Sequence, residues 1–280
     1  MTTPSRPPRR KALGQHHLRD ESLCRPAVDF LSRSAQDQRD APVVEIGPGG
    51  GVLTAALLRS GRRVIALELD RGWALHLRRE ALARDWTTES QRGRRLTLAV
   101  ADALAVDWSR LPRGAAVAGN LPYQISTVLI EQLLDGLADG AAAAFLVQRE
   151  VAERMVAPPG TAAFGSFSVL VQARCRVELL ARVRPGSFVP PPKVESAFVG
   201  MRFGPPPLPR EEWSGFKATV RAAFGSRRKI LRNSLAVAWG REAAERTLDE
   251  AGLAWQARAE ALDQAAFLRL WRARASSADE

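Results

Sequence analysis

Pro42-Val43-Val44-Glu45-Ile46-Gly47-Pro48-Gly49-Gly50-Gly51-Val52-Leu53-Thr54 decides how this chain folds. The apolar run over 41–46 reads as a buried strand, and the apolar spacing over 52–59 as a helix. A glycine-rich turn between them lets backbone approach a ligand closely and aims the first helical N–H groups at it. A second apolar strand over 64–68 ends in Glu68, which stands 21 residues after Gly47. That spacing matches the roughly 20 residues that separate glycines from a ribose-binding carboxylate in doubly wound sheets. The block therefore predicts an α/β fold around a Rossmann-like parallel sheet, with a cofactor that contains adenosine. A nicotinamide cofactor would satisfy these features as well as any other.

Working outward, a helix over 73–83 leads to a strand over 96–100, after which comes Asp102. At that position a carboxylate can accept a hydrogen bond from a cofactor's adenine amine, or it can cap the next turn. A fourth strand over 115–118 runs into Gly119-Asn120-Leu121-Pro122-Tyr123, and a helix over 126–134 follows with Ser126 as its cap. The motif sits at the carboxyl end of a strand, where open α/β sheets bind their ligands. Its residues suit an exocyclic amine on an aromatic ring. The Asn120 amide oxygen accepts one amine hydrogen. Pro122 biases Leu121 to an extended conformation, aiming a backbone carbonyl at the second. Tyr123, the only tyrosine in the chain, can stack on the ring, a contact worth roughly 1–3 kcal/mol per base. Two acceptors drawing the hydrogens out of the ring plane localise the nitrogen lone pair and ready it for attack. Read alone, the four residues also make an ordinary proline turn with an Asx cap.

A fifth strand over 141–147 and a helix over 148–157 come next, then a helix over 166–173 and strands over 177–184 and 194–203. Between those last strands, Ser187-Phe188-Val189-Pro190-Pro191-Pro192-Lys193 makes a stiff loop that can present Phe188 for base stacking or tuck it beneath itself. The proline-rich stretch 204–209 reads as a linker, and 210–280 as helical throughout, with helices over 212–224, 226–237, 241–251 and 262–274. The second of these would open with Arg227, Arg228, Lys229 and Arg232, a one-sign face suited to phosphates. The division expected is a disordered basic arm over 1–11, a sheet domain over 12–203, the linker, and a helical RNA-binding domain over 210–280.

The 280 residues carry 41 Lys and Arg against 30 Asp and Glu, a net charge of +11 that favours a polyanionic partner. Only four of the basic residues are lysines, so position says more than number. No apolar run reaches a membrane span, and no secretory signal follows the basic N-terminus. Two cysteines and three histidines at unrelated spacing give neither a disulfide framework nor a zinc site. A cytoplasmic monomer with no metal is expected.

Taken in order, Leu13-Gly14-Gln15-His16-His17-Leu18, Glu45-Ile46-Gly47-Pro48-Gly49, Glu68-Leu69-Asp70, Asp102-Ala103-Leu104, Asn120-Leu121-Pro122-Tyr123, Phe188-Val189-Pro190-Pro191-Pro192-Lys193-Val194 and Arg227-Arg228-Lys229-Ile230-Leu231-Arg232-Asn233 closely resemble the ribosomal RNA adenine N6,N6-dimethyltransferases. The likeness is to the branch that modifies two adjacent adenines near the 3′ end of 16S rRNA. It implies S-adenosylmethionine as methyl donor and the small-subunit precursor as partner. It also implies cofactor contacts at His16, Leu18, Gly47, Gly49, Glu68, Asp102 and Asn120. Tyr123 and Phe188 become the aromatic walls around a flipped adenine beside Asn120 and Leu121, and Arg227, Arg228, Lys229 and Arg232 the RNA contacts. His17 departs from the phenylalanine usual in the first motif, and Gln124 from the asparagine usual after the tyrosine. The alternatives are the 23S rRNA sister enzymes of macrolide resistance, a non-catalytic subunit assembly factor, and a nicotinamide oxidoreductase. Adenine-DNA or protein-glutamine methyltransferases would carry Pro where Leu121 stands.

Overall fold

Strand β2 (Val43–Ile46) is buried at every position, Glu45 included, as a central parallel strand covered on both faces requires. The computed structural model describes Pro7 and residues 16–34, 41–87, 89–90, 93–226 and 229–276. The arm over 1–11 therefore lies, Pro7 apart, outside the described residues, as do Arg227 and Arg228.

Chain contacts separate two units, residues 1–152 with 176–204, and residues 153–175 with 205–280. In the first, short β1 (His17–Leu18) and α1 (Arg25–Ser34) precede β2, followed by α2 (Val52–Arg59), β3 (Val64–Glu68) and α3 (Arg71–Ala83). A two-residue hairpin, β4 (Glu89–Ser90) and β5 (Gly93–Arg94), leads to β6 (Leu96–Val100). Then come β7 (Ala116–Asn120), α4 (Ser126–Gly136), β8 (Ala142–Gln148) and α5 (Arg149–Val156). After α6 (Ser166–Arg174), β9 (Cys175–Val183), β10 (Phe188–Val189) and β11 (Ser196–Phe203) return to the sheet side. Seven of these strands pair in the order β6-β3-β2-β7-β8-β11-β9. β2, β3, β6, β7 and β8 run parallel, and β11 is antiparallel to β8.

This order places the site. β2 is flanked by β3 on one side and β7 on the other, so the winding reverses there and a crevice opens at their carboxyl ends. Ile46 pairs with both Leu67 and Gly119, which sets Gly47, Glu68 and Asn120 side by side on three neighbouring strands. The expected α2, β3 and β6 agree with the observed bounds residue for residue.

The second unit is helical. It holds α6 together with α7 (Trp213–Ala223), α8 (Leu231–Trp239), α9 (Arg241–Glu250) and α10 (Gln264–Ser276). Its core stacks Phe224 on Phe267 at 5.7 Å, with Phe164 edge-on to Phe224 at 6.2 Å. Residues 153–175 join this unit through Gly160 N–H, which donates to Glu260 O at 2.7 Å, and Gln264 Nε2, which donates to Val169 O at 2.7 Å. The sequence had drawn them with the sheet. The helix expected over 226–237 begins at Leu231, because the Leu231 and Arg232 N–H groups donate to Ala257 O and Trp255 O instead of continuing a turn backward. Lys229 therefore lies in a bend ahead of the helix.

Glu45 on β2 is 1 % exposed. Burial pushes its carboxyl to about 8, with the Thr54 hydroxyl opposing and the Glu68 charge adding to the rise. A raised acid keeps its proton on folding, so its contribution to stability is complete below about 4.5 and is lost as pH climbs through about 8. Glu45→Gln should flatten that decline. Urea melts at pH 5 and 8.5 should show the variant gaining on the wild type by a few kcal/mol at the higher pH.

Candidate active site

Glu68 closes β3 with its carboxylate turned back across the sheet end. Its Oε2 accepts the Gly49 N–H at 3.0 Å and its Oε1 the Asp70 N–H at 2.9 Å. Burial raises the Glu68 pKa while those N–H bonds pull it down. Asp70 in turn caps α3, accepting from the Gly72 and Trp73 N–H groups at 2.7 and 3.2 Å. The glycine turn is thus tied to the acid one strand away. Gly47 has φ +63° and faces open space where a side chain would project, so the cleft meets bare backbone there.

Asn120 ends β7. Its Nδ2 donates to the His16 carbonyl at 2.6 Å, which commits the nitrogen and leaves the amide oxygen as the acceptor end. Leu121 is buried, with its N–H on Leu146 O at 3.0 Å, and Pro122 O accepts the Ile125 and Ser126 N–H groups at 3.1 Å each. The turn puts Tyr123 half-buried at the mouth, its hydroxyl sharing a 2.8 Å hydrogen bond with Ser196 Oγ on β11. Burial raises the phenol's pKa, and Ser196 partly opposes this. His16, His17, Gly47, Gly49, Glu68, Asn120, Leu121, Pro122 and Tyr123 line one open cleft of about 40 Å³.

The N-terminal segment closes one side of it. β1 pairs with β10, His17 opposite Val189 and Leu18 opposite Phe188. Arg19 adds its N–H to Ser187 O at 3.0 Å and its Nε to Phe188 O at 3.1 Å. The His16 ring stacks on Tyr123 with centroids 5.6 Å apart and planes 23° from parallel, and its Nδ1–H donates to Pro190 O at 2.9 Å. His17 tilts over Trp73 at 4.2 Å and fills the space beside Gly49. An imidazole serves there as a flat ring.

Three expected residues stand apart from the cleft. Phe188 is fully buried among Leu18, Phe30 and Phe198, so it packs the core beneath its loop and is no wall of the opening. Leu18 is buried in the same cluster. Both go inward because the β1–β10 pairing turns these opposed residues toward the sheet. Asp102 is exposed and caps residues 103–105 by accepting the Leu104 N–H at 2.9 Å, the simpler of its two readings. It still stands beside Glu68 at the carboxyl end of the next strand, since Glu68 pairs with Val100. Two contributors were missed. Ser196, which anchors the phenol, carries no local signal, and neither does the Pro190 carbonyl that holds His16.

Of the basic cluster, Lys229 is exposed. Arg232 is answered locally, Nη1 lying 3.4 Å from Glu245 Oε1 with the guanidinium 5.6 Å over Trp255. Among the described residues no group of three or more His, Cys, Asp or Glu could hold a metal, and no helix is long and apolar enough to cross a membrane.

A glycine turn, a buried acid on the adjoining strand and an Asn-Leu-Pro-Tyr turn on the next meet in one crevice and suit an S-adenosylmethionine-dependent methyltransferase. The chain belongs to the ribosomal RNA adenine dimethylase family, whose model matches residues 8–275. It is 41% identical over 266 residues to the ribosomal RNA small subunit methyltransferase A of Bordetella bronchiseptica, covering 93% of this chain and 92% of that one. The enzyme of the same name from Anaeromyxobacter dehalogenans is 41% identical over 238 residues, 81% of this chain and 78% of that one. Among solved structures, a dimethyladenosine transferase from Plasmodium falciparum superposes with a TM-score of 0.70 at 23% identity, covering 91% of this chain and 96% of that one. The 23S rRNA methyltransferase ErmE gives 0.64 at 25%, covering 91% and 98%.

The residues present fit the cofactor. Gly47 offers an open backbone face, and Glu68 is already oriented by two N–H groups with lone pairs to spare for a diol. Gly49 combines φ +49° with a His17 ring where a Cβ would go. Gly49→Ala should therefore cost roughly 1–3 kcal/mol in a urea melt, and His17→Ala in the same chain should return the steric share, giving a non-zero double-mutant coupling.

Proposed function

We propose that this protein dimethylates the N6 amines of two adjacent adenosines near the 3′ end of 16S rRNA, acting as a cytoplasmic monomer on the small-subunit precursor. The observation that carries the reading is the Asn120 amide. It is held by its nitrogen, with its oxygen as acceptor, beside an aromatic ring and one strand from the glycine turn. The small-subunit name shared by relatives at 41% identity favours that branch over the 23S enzyme at 25%.

Gly47, Gly49, Glu68 and His16 would hold S-adenosylmethionine, with Asp102 toward its adenine amine and Leu18 packing behind. When bound, it supplies an electrophilic methyl group on a sulfonium. The target adenine leaves its stack at a cost of a few kcal/mol, and the Tyr123 ring returns roughly 1–3 kcal/mol by stacking. Asn120 Oδ1 takes one N6 hydrogen, and the extended backbone before Pro122 offers the second acceptor. Drawn from the ring plane, the nitrogen lone pair becomes available. Positioning both partners in one cleft contributes most of the rate. The methylated nitrogen is cationic and acidic, and loses its proton to water without a dedicated base. Two rounds on each adenine require a slot that tolerates the first methyl. The helical segment 210–280 would carry the RNA, with Arg227, Arg228, Lys229 and Arg232 toward phosphates.

Asn120→Ala should abolish labelled methyl incorporation into small subunits while leaving the melting transition in place; near-normal turnover would remove Asn120 from the mechanism. Replacing Arg227, Arg228 and Lys229 by Glu should weaken RNA binding and flatten its dependence on salt. An unchanged slope of log affinity against log salt would assign those charges to solubility.

A further inference from the structure

We infer that Gln132 is a positioning residue for the adenine end of the cofactor, because its amide holds the turn that carries Asp102. The inference rests on the reading of Asp102 given under the proposed function and deepens it. Asp102 is exposed, and its Oδ1 is spent on the Leu104 N–H at 2.9 Å. That bond makes carboxylate and turn one piece, so wherever residues 103–105 go the second carboxylate oxygen goes with them. Within the turn, the Ala105 N–H donates to Asp102 O at 3.0 Å and the Val106 N–H to Ala103 O at 3.4 Å. A single exposed turn of this kind keeps its place only if something outside it takes hold.

Gln132 takes hold of it from α4. Its Nε2 donates to Leu104 O at 3.2 Å, across 28 residues of sequence. Leu104 is thereby fixed at both backbone groups, its N–H by Asp102 and its carbonyl by Gln132. The other end of the amide points the same way. Gln132 Oε1 is buried with no hydrogen-bond partner among the described residues. An apolar side chain would avoid that cost, and turning the amide over would set oxygen against oxygen, so the bond to Leu104 dictates how the side chain lies. Four residues on, at the last position of α4, a Cβ on Gly136 would stand 2.7 Å from Trp108 Cβ. Positions four apart share one helix face, so this face of α4 grips both turns that follow β6, residues 103–105 and 108–110. The same helix starts directly from the Asn120–Tyr123 turn, with Ser126 Oγ donating to Tyr123 O at 3.2 Å. One rigid element thus sets the Asp102 carboxylate and the Asn120 amide at a fixed separation.

Calorimetric titration of the full-length chain with S-adenosylhomocysteine and with S-inosylhomocysteine, which carries an oxygen in place of the adenine amine, tests this. The wild type should prefer the adenosine compound, since a carboxylate accepts from an amine and repels a carbonyl oxygen. Gln132→Leu keeps the bulk and removes the donor. It should weaken S-adenosylhomocysteine by about 3- to 10-fold, the range of one hydrogen bond, leave S-inosylhomocysteine binding in place, and raise KM for S-adenosylmethionine more than it lowers kcat. Gln132→Glu keeps the shape, also lacks the donor, and should lose the preference in the same way; it decides the matter if the Leu variant fails to fold. Equal weakening of both compounds marks a merely structural residue and overturns the assignment, as does an unchanged preference. Asp102→Ala separates the two levels. A preference that survives there sinks the reading of Asp102, whereas its loss there with the preference intact in the Gln132 variants sinks only the role of Gln132.

Discussion

The hydrogen bond from Gly49 N–H to Glu68 Oε2, buried and 3.0 Å long, fixes the relation on which the site depends. It joins the turn after β2 to the end of β3, so the glycine backbone cannot drift from the acid that would hold a ribose. In a buried setting such a carboxylate would be costly if left without donors. The turn and Asp70 N–H supply them, so the desolvation that raises its pKa is met by the same groups that orient it. Glycine turn and sheet end are one structural unit.

The second constraint acts from the N-terminus. Residues 16–19 run beside the loop over 187–190, which is distant in sequence, and deliver His16 to Tyr123 and a carbonyl to Asn120. The Asn120 amide thus owes its orientation to a backbone group 104 residues away. This fits the division of labour in doubly wound sheets, where rigid strands place the motifs and flanking segments complete them. It also accounts for a tolerated imidazole at position 17, since the space beside Gly49 asks for a flat ring of modest size.

In the helical unit, charge and aromaticity are interleaved. Arg232 lies over Trp255, Arg274 over Trp239 and Arg154 over Phe167, at 5.6, 5.2 and 5.1 Å. Guanidinium groups held over rings surrender less freedom on meeting a phosphate or a base. Glu245 draws on both Arg232 and Arg241, at 3.4 and 3.0 Å. The positive charge of this unit is accordingly less uniform than the run Arg227–Arg232 suggests when read as a line of letters.

Local signals decided the strands, their carboxyl-end motifs and the family. Apolar runs over 41–46, 64–68 and 96–100, a glycine turn and an acid at fixed spacing depend on neighbours in sequence, and those are visible in the string of residues. What the string could not decide was which face of a residue the fold would use. Phe188 and Tyr123 are both aromatics on proline-bearing turns, yet one is fully buried and the other lines the cleft, because β1 pairs with the loop of the first and Ser196 holds the second. The start of α8 and the allegiance of residues 153–175 were likewise set by partners some 25 to 100 positions away. Sequence fixes which chemistry is available; long-range pairing, whose energy no local pattern records, determines which side chains meet.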